Sequence, residues 1–322
     1  WMPDLPKSSP EIDKQMFDTI LSGQDLQFDQ WKIYPTAVVP WTRIKKWYDD
    51  GSYTPYTDQN PENLIKLLID VKKKVPEWIR LNRVVRDIPN TTLSGETYIY
   101  AGNKVTNLRQ IIGDRMSKNH EFCKCIRCRE PKSSTSMLDN AIIIARKYYS
   151  SGGEEYFISI ESGSCQHSVW DATHQKWYKR DIVEPGIIYG FVRLRLNQTN
   201  GVKYTGGNQF FPELHECALV RELHVYGQVT GGTRDDKTQK NVQHQGIGKR
   251  LMDKAEEIAI KHSYKEIAVI SGIGVKNYYR RRGYRECNTY MIKKFDRFTY
   301  FNYNDIGIVL IVVAIITAYI FY

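Results

Sequence analysis

Cysteine is scarce in this sequence, with six residues among 322, and only three of the six lie close together. So few cysteines are typical of free thiols and argue against a fold held by disulfides. No internal repeat is visible, which excludes a solenoid, and no N-terminal signal peptide is visible. Acidic residues are outnumbered, 36 to 46, so the formal net charge is +10. This balance indicates a polyanionic partner or an acidic surface, with a generally solvated basic surface as the alternative.

The most informative segment that is present is a glycine-containing turn before a helix. It consists of Gln243, His244, Gln245, Gly246, Ile247 and Gly248, followed by Lys249 and an amphipathic stretch. Glycine at two of these positions lets a diphosphate approach the backbone. The N–H groups that open the helix supply hydrogen-bond donors and the positive end of its dipole. The segment predicts a pyrophosphate site with these seven residues as candidate contacts; a turn that only caps the helix is the alternative.

The elements around this turn favour the binding site. Residues 217–226 alternate as a strand does, residues 249–259 have one apolar face at helical spacing, and residues 267–270 form a short apolar run. Residues 277–284 fit a short helix closed by Gly283. Strand, loop, helix and strand thus follow in order.

The pattern Gln/Arg-x-x-Gly-x-Gly/Ala before a helix resembles the coenzyme A signature of the GNAT acetyltransferase superfamily. The resemblance implies that Leu223, His224 and Val225 align their backbone groups with the acetyl-pantetheine arm. A main-chain N–H there would polarise the thioester carbonyl. Glu222 and His224 are the nearest ionisable groups, and either is a candidate base, although a core histidine is the commoner interpretation of His224.

The same resemblance implies a tyrosine general acid near the coenzyme A sulfur. Tyr278 and Tyr279 are the candidates, and we expect Tyr279 slightly over Tyr278, with Asn277 also contacting the cofactor. A phenol with a pKa near ~10 is protonated at neutral pH and can donate to a leaving thiolate. At least one of two adjacent helical tyrosines must serve in core packing.

Seven strings together resemble a narrower family, the catalytic subunit of the Elongator complex, over roughly residues 1–295. They are Met2-Pro-Asp-Leu-Pro6, Lys32-Ile-Tyr-Pro-Thr36, Arg83-Val-Val-Arg-Asp-Ile-Pro89, Cys123-Lys-Cys-Ile-Arg-Cys-Arg-Glu130, Arg221-Glu-Leu-His-Val-Tyr-Gly227, Gln243-His-Gln-Gly246 and Ser271-Gly-Ile-Gly-Val-Lys-Asn-Tyr-Tyr-Arg280. The resemblance implies acetyl-CoA-dependent modification of the wobble uridine of tRNA to a carboxymethyl-type uridine. It also implies Elongator-like partner subunits or a homodimer.

One feature of that family is missing here. Its radical-SAM barrel carries an iron–sulfur cluster on three closely spaced cysteines near its start, and no such run occurs in the corresponding part of this sequence. We therefore expect either the C-terminal part of a longer product or a shortened form that lost the radical half. An iron–sulfur cluster and S-adenosylmethionine are expected only if a longer chain supplies the missing motif.

The single cysteine cluster has its own interpretation. Cys123, Cys125 and Cys128 could supply three ligands of a tetrahedral structural zinc site. His120 is a nearby candidate for the fourth ligand, and the remaining cysteines are more distant ones. Reduced thiols are the alternative, and a disulfide between Cys123 and Cys125 would be strained.

Basic residues are dense in the first 130 positions, with aromatic residues among them. The candidate tRNA contacts are Arg80, Arg83, Arg86, Lys124, Arg127 and Arg129. Cationic side chains contact phosphates, and interleaved rings can stack on unpaired bases. A solvated basic face is the alternative. This basic character disfavours a protein lysine acetyltransferase, which remains the rival function beside a catalytically incomplete, membrane-tethered tRNA-binding protein.

The length allows about two domains. We expect an α/β fold class: a partial TIM-like radical-SAM barrel remnant (1–90), then a GNAT α+β domain (136–298) and a C-terminal transmembrane helix. A basic, cysteine-rich zinc linker that binds tRNA would occupy residues 91–135. Within these regions we expect a helix at 61–74, a strand at 78–85, a helix near 137–149, and strands at 155–161 and 187–196.

The C-terminus predicts a membrane anchor. Residues 306–322 are seventeen positions without charge, preceded by Lys293, Lys294 and Arg297. As a helix they would reach roughly 25 Å, just enough for a thin bilayer. The basic flank predicts that the catalytic part faces the cytosol as a tail-anchored protein. A buried or partner-binding helix is the alternative.

Overall fold

The computed structural model describes residues 1–86, 88–131, 140–163, 165–171, 176–197, 210–226 and 246–295, with only the backbone described over 165–171 and 176–183. These residues fall into two compact units. The first unit contains Trp1–Ser133 and Ser162–Ile188, and the second contains Ser134–Glu161 and Tyr189–Tyr322.

The described helices and strands are as follows. The helices are α1 (Pro10–Ser22), α2 (Arg43–Asp49), α3 (Tyr56–Gln59), α4 (Pro61–Lys74), α5 (Leu108–Lys118), α6 (Ile247–Lys261) and α7 (Lys276–Arg280). The strands are β1 (Gln30–Lys32), β2 (Ala37–Val38), β3 (Arg80–Arg83), β4 (Ala101–Gly102), β5 (Ile142–Ser150), β6 (Gly153–Glu161), β7 (Cys165–Asp171), β8 (Lys176–Glu184), β9 (Ile188–Leu196), β10 (Cys217–Val225), β11 (Glu266–Ile270), β12 (Arg285–Cys287) and β13 (Tyr290–Lys294).

The first unit is built around a parallel strand pair. β1 and β3 are parallel neighbours, and helices lie between them in the chain, as expected of an α/β fragment. β2 and β4 form a second, antiparallel pair, and β7 and β8 form an antiparallel hairpin. Trp31 of β1, Leu81 of β3, Leu68 of α4 and Ile112 of α5 are buried in one core cluster. The α/β expectation for this part of the chain is therefore confirmed.

Helix α4 shows how the sequence determines one wall of this core. Asn60 caps its N-terminus by accepting a hydrogen bond from the N–H of Glu62, and Pro61 occupies the first turn. Three lysines occupy the last turn, where their charges interact favourably with the carbonyl end of the helix dipole. Only one of the three, Lys72, is buried.

The second unit is dominated by a seven-stranded sheet with the order β12-β13-β11-β10-β9-β6-β5. β10 and β11 run parallel and are joined through α6, while β9 and β10 pair antiparallel. Helix α6 buries Leu251, Ala255 and Ala259 along one face, which is the helical spacing that the sequence predicted. The predicted strands at 155–161 and 187–196 correspond to β6 and β9.

One predicted element in this unit is wrong. The helix expected near 137–149 is the strand β5, which pairs with β6 from Ile142 to Ser150; residues 137–139 lie outside the described residues. Isoleucines and tyrosines dominate this stretch, and β-branched and aromatic side chains favour the pleated surface of a sheet. The composition of residues 142–150 therefore favours a strand over a helix.

The predicted transmembrane helix and tail-anchored localisation must also be corrected. Within the parts of the chain that the structure describes, no helix is long and apolar enough to cross a membrane, and residues 306–322 lie outside those parts. The physical reason lies in those helices: the longest of the described ones, α6, has 15 residues and carries several charges, whereas a ~30 Å hydrocarbon core needs ~20 mostly apolar residues.

Candidate functional site

The central feature of the second unit is the place where β10 and β11 separate. Their parallel pairing runs from Cys217 to Val220, whereas the pairing of β10 with β9 continues to Val225. The register with β9 shifts between Val220 and Glu222, so a bulge lies where the ladder to β11 ends. Leu223 and Val225 therefore lie beyond that ladder, on an edge that can hydrogen-bond an extended ligand.

Helix α6 begins close to this edge. Gly246, its N-cap residue, has a left-handed φ of 71°, a conformation that glycine adopts without steric cost. Glycine also has no side chain with which to accept hydrogen bonds from the first helical turn. The N–H groups of that turn are the natural donors for an anion.

Two of the predicted cofactor contacts, Gly248 and Val225, lie together with the candidate acid Tyr278. A Cβ atom built on Gly248 would lie 3.2 Å from the hydroxyl oxygen of Tyr278 and 3.6 Å from Cγ2 of Val225. The start of α6, the end of β10 and helix α7 thus converge on one small gap. A side chain at 248 would fill it.

A second glycine, which sequence reasoning missed, permits this approach. Gly190 of β9 pairs with Val225, and a Cβ atom at 190 would lie 2.9 Å from Cγ2 of Ile247 and 3.0 Å from the carbonyl oxygen of His224. The sequence signal was available, because glycine inside a strand pattern often marks a close approach of another segment.

The two candidate tyrosines have different surroundings. The hydroxyl of Tyr278 is buried and has no hydrogen-bond partner within the described residues. Burial raises its pKa above the ordinary value, so the proton is retained. Tyr279 is only 4% exposed and packs edge-on between Tyr278 and Tyr284, with ring centroids 5.1 and 5.8 Å away. Burial raises the pKa of Tyr279 to about 12.

This geometry favours Tyr278 over Tyr279 as the proton donor, the reverse of the slight preference drawn from the sequence. Tyr279 is the tyrosine that serves in core packing, while the Tyr278 hydroxyl lies at the gap beside Gly248. Asn277 is exposed and accepts a hydrogen bond from Arg280 at 2.7 Å. The roles of these residues stay predictions.

The two candidate bases also differ. Glu222 accepts a hydrogen bond from Nε of Arg193 at 2.9 Å, and that guanidinium is only 1% exposed. Glu222 therefore balances a buried charge, which is a structural task. His224 is exposed and stacks on Phe191 at 5.5 Å between centroids, so the interpretation as a core histidine does not hold.

The cysteine cluster lies in the first unit. The sulfur atoms of Cys123, Cys125 and Cys128 all lie within 4.8 Å of one another. Tetrahedral zinc with Zn–S bonds of ~2.3 Å requires sulfur separations of about 3.8 Å, so small side-chain adjustments would give three legs of such a site. His120 does not join the group, and the fourth ligand stays open.

The surroundings of the cluster favour a thiolate at Cys128 and thiols at Cys123 and Cys125. Hydrogen bonds with Cys123 and Cys125 lower the pKa of Cys128, and the ammonium of Lys72 adds to this; the pKa values of Cys123 and Cys125 are raised. Lys72 is 3% exposed, and its Nζ lies 3.5 Å from the sulfur of Cys128. A cavity of about 250 Å³ adjoins the cluster.

The predicted tRNA contacts differ in their surroundings. Arg129 is buried and donates to the carbonyl oxygens of Lys124 and Glu77, so it holds the cysteine loop in place. Arg80 and Arg127 form ion pairs with Glu130.

The remaining three predicted contacts are Arg83, Arg86 and Lys124, and all are exposed.

The structure describes four of the seven residues of the predicted pyrophosphate segment, 246–249. Gln243, His244 and Gln245 lie outside the described residues. Of the other four, Ile247 is buried and Lys249 is exposed on the first turn of α6.

Comparison with known proteins gives matches in both units. The sequence model of the Radical_SAM C-terminal domain matches residues 28–118, and that of the acetyltransferase (GNAT) domain matches residues 237–303. A tRNA uridine(34) acetyltransferase of Methanocaldococcus jannaschii is 34% identical over 91% of this chain and 48% of its own length. Elongator complex protein 3 of Drosophila melanogaster is 34% identical over 92% of this chain and 48% of its own length.

A solved structure agrees with these matches. Elp3 of the archaeon Methanocaldococcus infernus, with residues 1–46 deleted, is 34% identical, covers 91% of this chain and superposes with a TM-score of 0.69. This chain corresponds to 62% of that one, and it spans about half the length of the two relatives named above.

Proposed function

Because this chain is homologous over 91% of its length to tRNA uridine(34) acetyltransferases and to Elongator complex protein 3, we propose that it is an acetyl-CoA-dependent acyltransferase that acts on uridine 34, the wobble position, of tRNA. The GNAT match covers α6, β11 and α7. The relatives also motivate the proposal that it assembles with Elongator-type subunits or with a second copy.

One observation carries the proposal. The ladder between β10 and β11 ends at Val220, beside a helix start built from Gly246 and Gly248, and the buried hydroxyl of Tyr278 lies at the same gap. A helix start with no side-chain cap, close to a buried hydroxyl that has no partner among the described residues, suits the phosphate-bearing arm of coenzyme A. When bound there, acetyl-CoA supplies an acetyl thioester.

Three parts of the second unit would bind acetyl-CoA and protonate its sulfur. The N–H groups at the start of α6 bind the diphosphate and hold it against the positive end of the helix dipole. The edge of β10 at Leu223 and Val225, which lies beyond the ladder to β11 and has no other partner among the described strands on that side, orients the arm. The Tyr278 hydroxyl holds a proton for the departing sulfur, and its raised pKa keeps it protonated across the working pH range.

The tRNA contacts and the metal site belong to the first unit. Exposed Arg83, Arg86 and Lys124 would contact phosphates. The cysteine cluster would bind a structural zinc ion, and this ion would stabilise the loop formed by residues 123–129. The sequence has no second cysteine run of the kind that binds an iron–sulfur cluster.

The test is release of free coenzyme A by the purified chain, followed with a thiol reagent. We expect slow release with acetyl-CoA alone and faster release when a folded tRNA with uridine at position 34 is added. The same tRNA with cytidine at 34 controls for the target base, and a lysine-containing peptide controls for protein acetylation.

Three outcomes decide the question. Stimulation by the tRNA with uridine 34, and not by the peptide, supports the proposal. Transfer to the peptide alone replaces it with a protein lysine acetyltransferase. Absence of coenzyme A release under every condition, in a chain that still binds tRNA, would leave a binding protein without turnover.

A further inference from the structure

The outer face of helix α2 carries an unusual group of exposed rings and cations. On its inner side, Ile44 and Tyr48 pack against the small cluster formed by Val38, Tyr53 and Ala101. The outer side and the neighbouring sheet edge form what we call the α2 surface. It consists of Trp41, Arg43, Lys45, Lys46, Trp47 and Tyr100.

Trp41 is the most telling member of the α2 surface. Its side chain is 93% exposed, although indole is among the largest apolar groups in proteins. Its backbone has a φ of 59°, a left-handed conformation that is unfavourable for a bulky residue. Energetically costly backbone conformations persist where the surrounding structure imposes them, and they cluster at functional sites.

The surroundings hold Trp41 in this position. The next residue, Thr42, caps α2 by accepting a hydrogen bond from the N–H of Lys45 at 3.3 Å. Its hydroxyl also donates to the carbonyl oxygen of Val39 at 2.7 Å. Trp41 is thus clamped between a strand end and a capped helix, with its ring directed to solvent.

The other rings of the α2 surface each have a cation above them. The guanidinium carbon of Arg43 lies 5.2 Å from the ring centroid of Trp47, and Nζ of Lys45 lies 4.2 Å from that of Tyr100. Lys45 also pairs with Asp49 at 2.6 Å. Tyr100 is fixed by its N–H bond to the carbonyl oxygen of Val38 at 2.8 Å.

We propose that the α2 surface binds unpaired nucleotides of RNA, with a base stacked on Trp41 and neighbouring phosphates contacted by Arg43 and Lys46. Rings interleaved with cations are the combination that single-stranded RNA requires. The identification of RNA as the ligand rests on the proposed function. A membrane fits less well, because Trp41 alone of the three rings stands clear of the surface. Arg43 and Lys45 lie over the rings of Trp47 and Tyr100, so these rings form no continuous apolar face for lipid.

The test is direct binding of a fluorescent uridine-rich RNA heptamer to the full chain, compared with a duplex of the same length. We expect Trp41→Ala to weaken heptamer binding roughly 5- to 150-fold, which corresponds to the ~1–3 kcal/mol lost when a stacking ring is removed. Trp41→Phe keeps a ring and should retain most of the affinity. Leu93→Ala, which removes a fully exposed side chain without a ring, should bind as the unchanged chain does.

Salt dependence separates the two kinds of contact. Arg43→Ala and Lys46→Ala should each lower the slope of log affinity against log salt by about 1, while Trp41→Ala leaves the slope unchanged. The assay measures binding of unpaired RNA and needs no acyl transfer, so its result can be interpreted even if the proposed acyl transfer does not occur.

The proposal is overturned if Trp41→Ala binds the heptamer as tightly as the unchanged chain, or if the duplex binds as well as the heptamer. It is also overturned if the chain binds phosphatidylserine vesicles through Trp41 and does not bind the heptamer, because the surface would then be a membrane contact.

Discussion

Replacing Gly248 by alanine should separate cofactor binding from folding. The new methyl group would project into the gap between Val225 and Tyr278, 3.2 Å from the tyrosine hydroxyl oxygen. That distance is a few tenths of an ångström shorter than an ordinary contact, so the hydroxyl must shift slightly. The space proposed for the phosphate-bearing arm of coenzyme A would be partly filled.

The substitution should leave the free energy of unfolding almost unchanged and weaken the binding of coenzyme A. Alanine is favoured over glycine inside a helix by roughly 1 kcal/mol, and this gain offsets the crowding at Tyr278, so the free energy of unfolding should change by less than about 1 kcal/mol. Binding loses more. Displacing one hydrogen bond to a charged phosphate costs about 1.5–3 kcal/mol, which corresponds to a roughly 10- to 150-fold weaker Kd for coenzyme A.

Isothermal titration of the purified chain with coenzyme A measures the Kd, and thermal unfolding measures stability. Gly274→Ala is the matched control, because glycine 274 lies in the same unit and nothing lies within 4 Å of a Cβ there. Unchanged affinity in Gly248→Ala, with unchanged stability, would show that the gap is not the cofactor site.

Four further predictions follow from the described geometry. Tyr278→Phe should slow acetyl-CoA cleavage by about 10²- to 10⁴-fold, the usual contribution of a general acid, while Tyr279→Phe mainly lowers the melting temperature. Because burial raises the pKa of Tyr278 above 10.0, its proton stays on through the alkaline range and cleavage should not fall between pH 8 and 10; a fall there that vanishes in Tyr278→Phe contradicts this. Gly190→Ala should destabilise the fold by about 1–3 kcal/mol through overpacking against α6, measured by denaturant unfolding. Cys125→Ser should abolish zinc retention in elemental analysis; an unchanged zinc content would contradict a metal site at the cluster.

Much of the second unit could be predicted from local patterns. Alternation over residues 217–226 and helical spacing from Leu251 to Ala259 gave β10 and α6, because one face of each element packs against the core. The separation of β10 from β11 could not be predicted this way. A bulge depends on which strands become neighbours, and a single strand pattern does not contain that information.

Other features depend on tertiary contacts in the same way. The helix predicted near 137–149 is wrong, because the β-branched and aromatic side chains of Ile142–Ser150 favour the strand β5. Lys72 lies four residues after Leu68 on the buried face of α4, but helical spacing does not reveal that its ammonium meets the sulfur of Cys128. Trp41 carried no sequence signal that its ring would face solvent.

The short ladder between β10 and β11 has a consequence for how this protein can vary in evolution. An arm that lies along a free strand edge is recognised through main-chain atoms, which every residue type provides. Substitutions at Leu223 or Val225 that preserve the strand should therefore alter affinity little, and the selective constraint should fall on the glycines that keep the space open. Homologous sites should thus be traceable by the spacing of small residues better than by the identity of side chains along the strand.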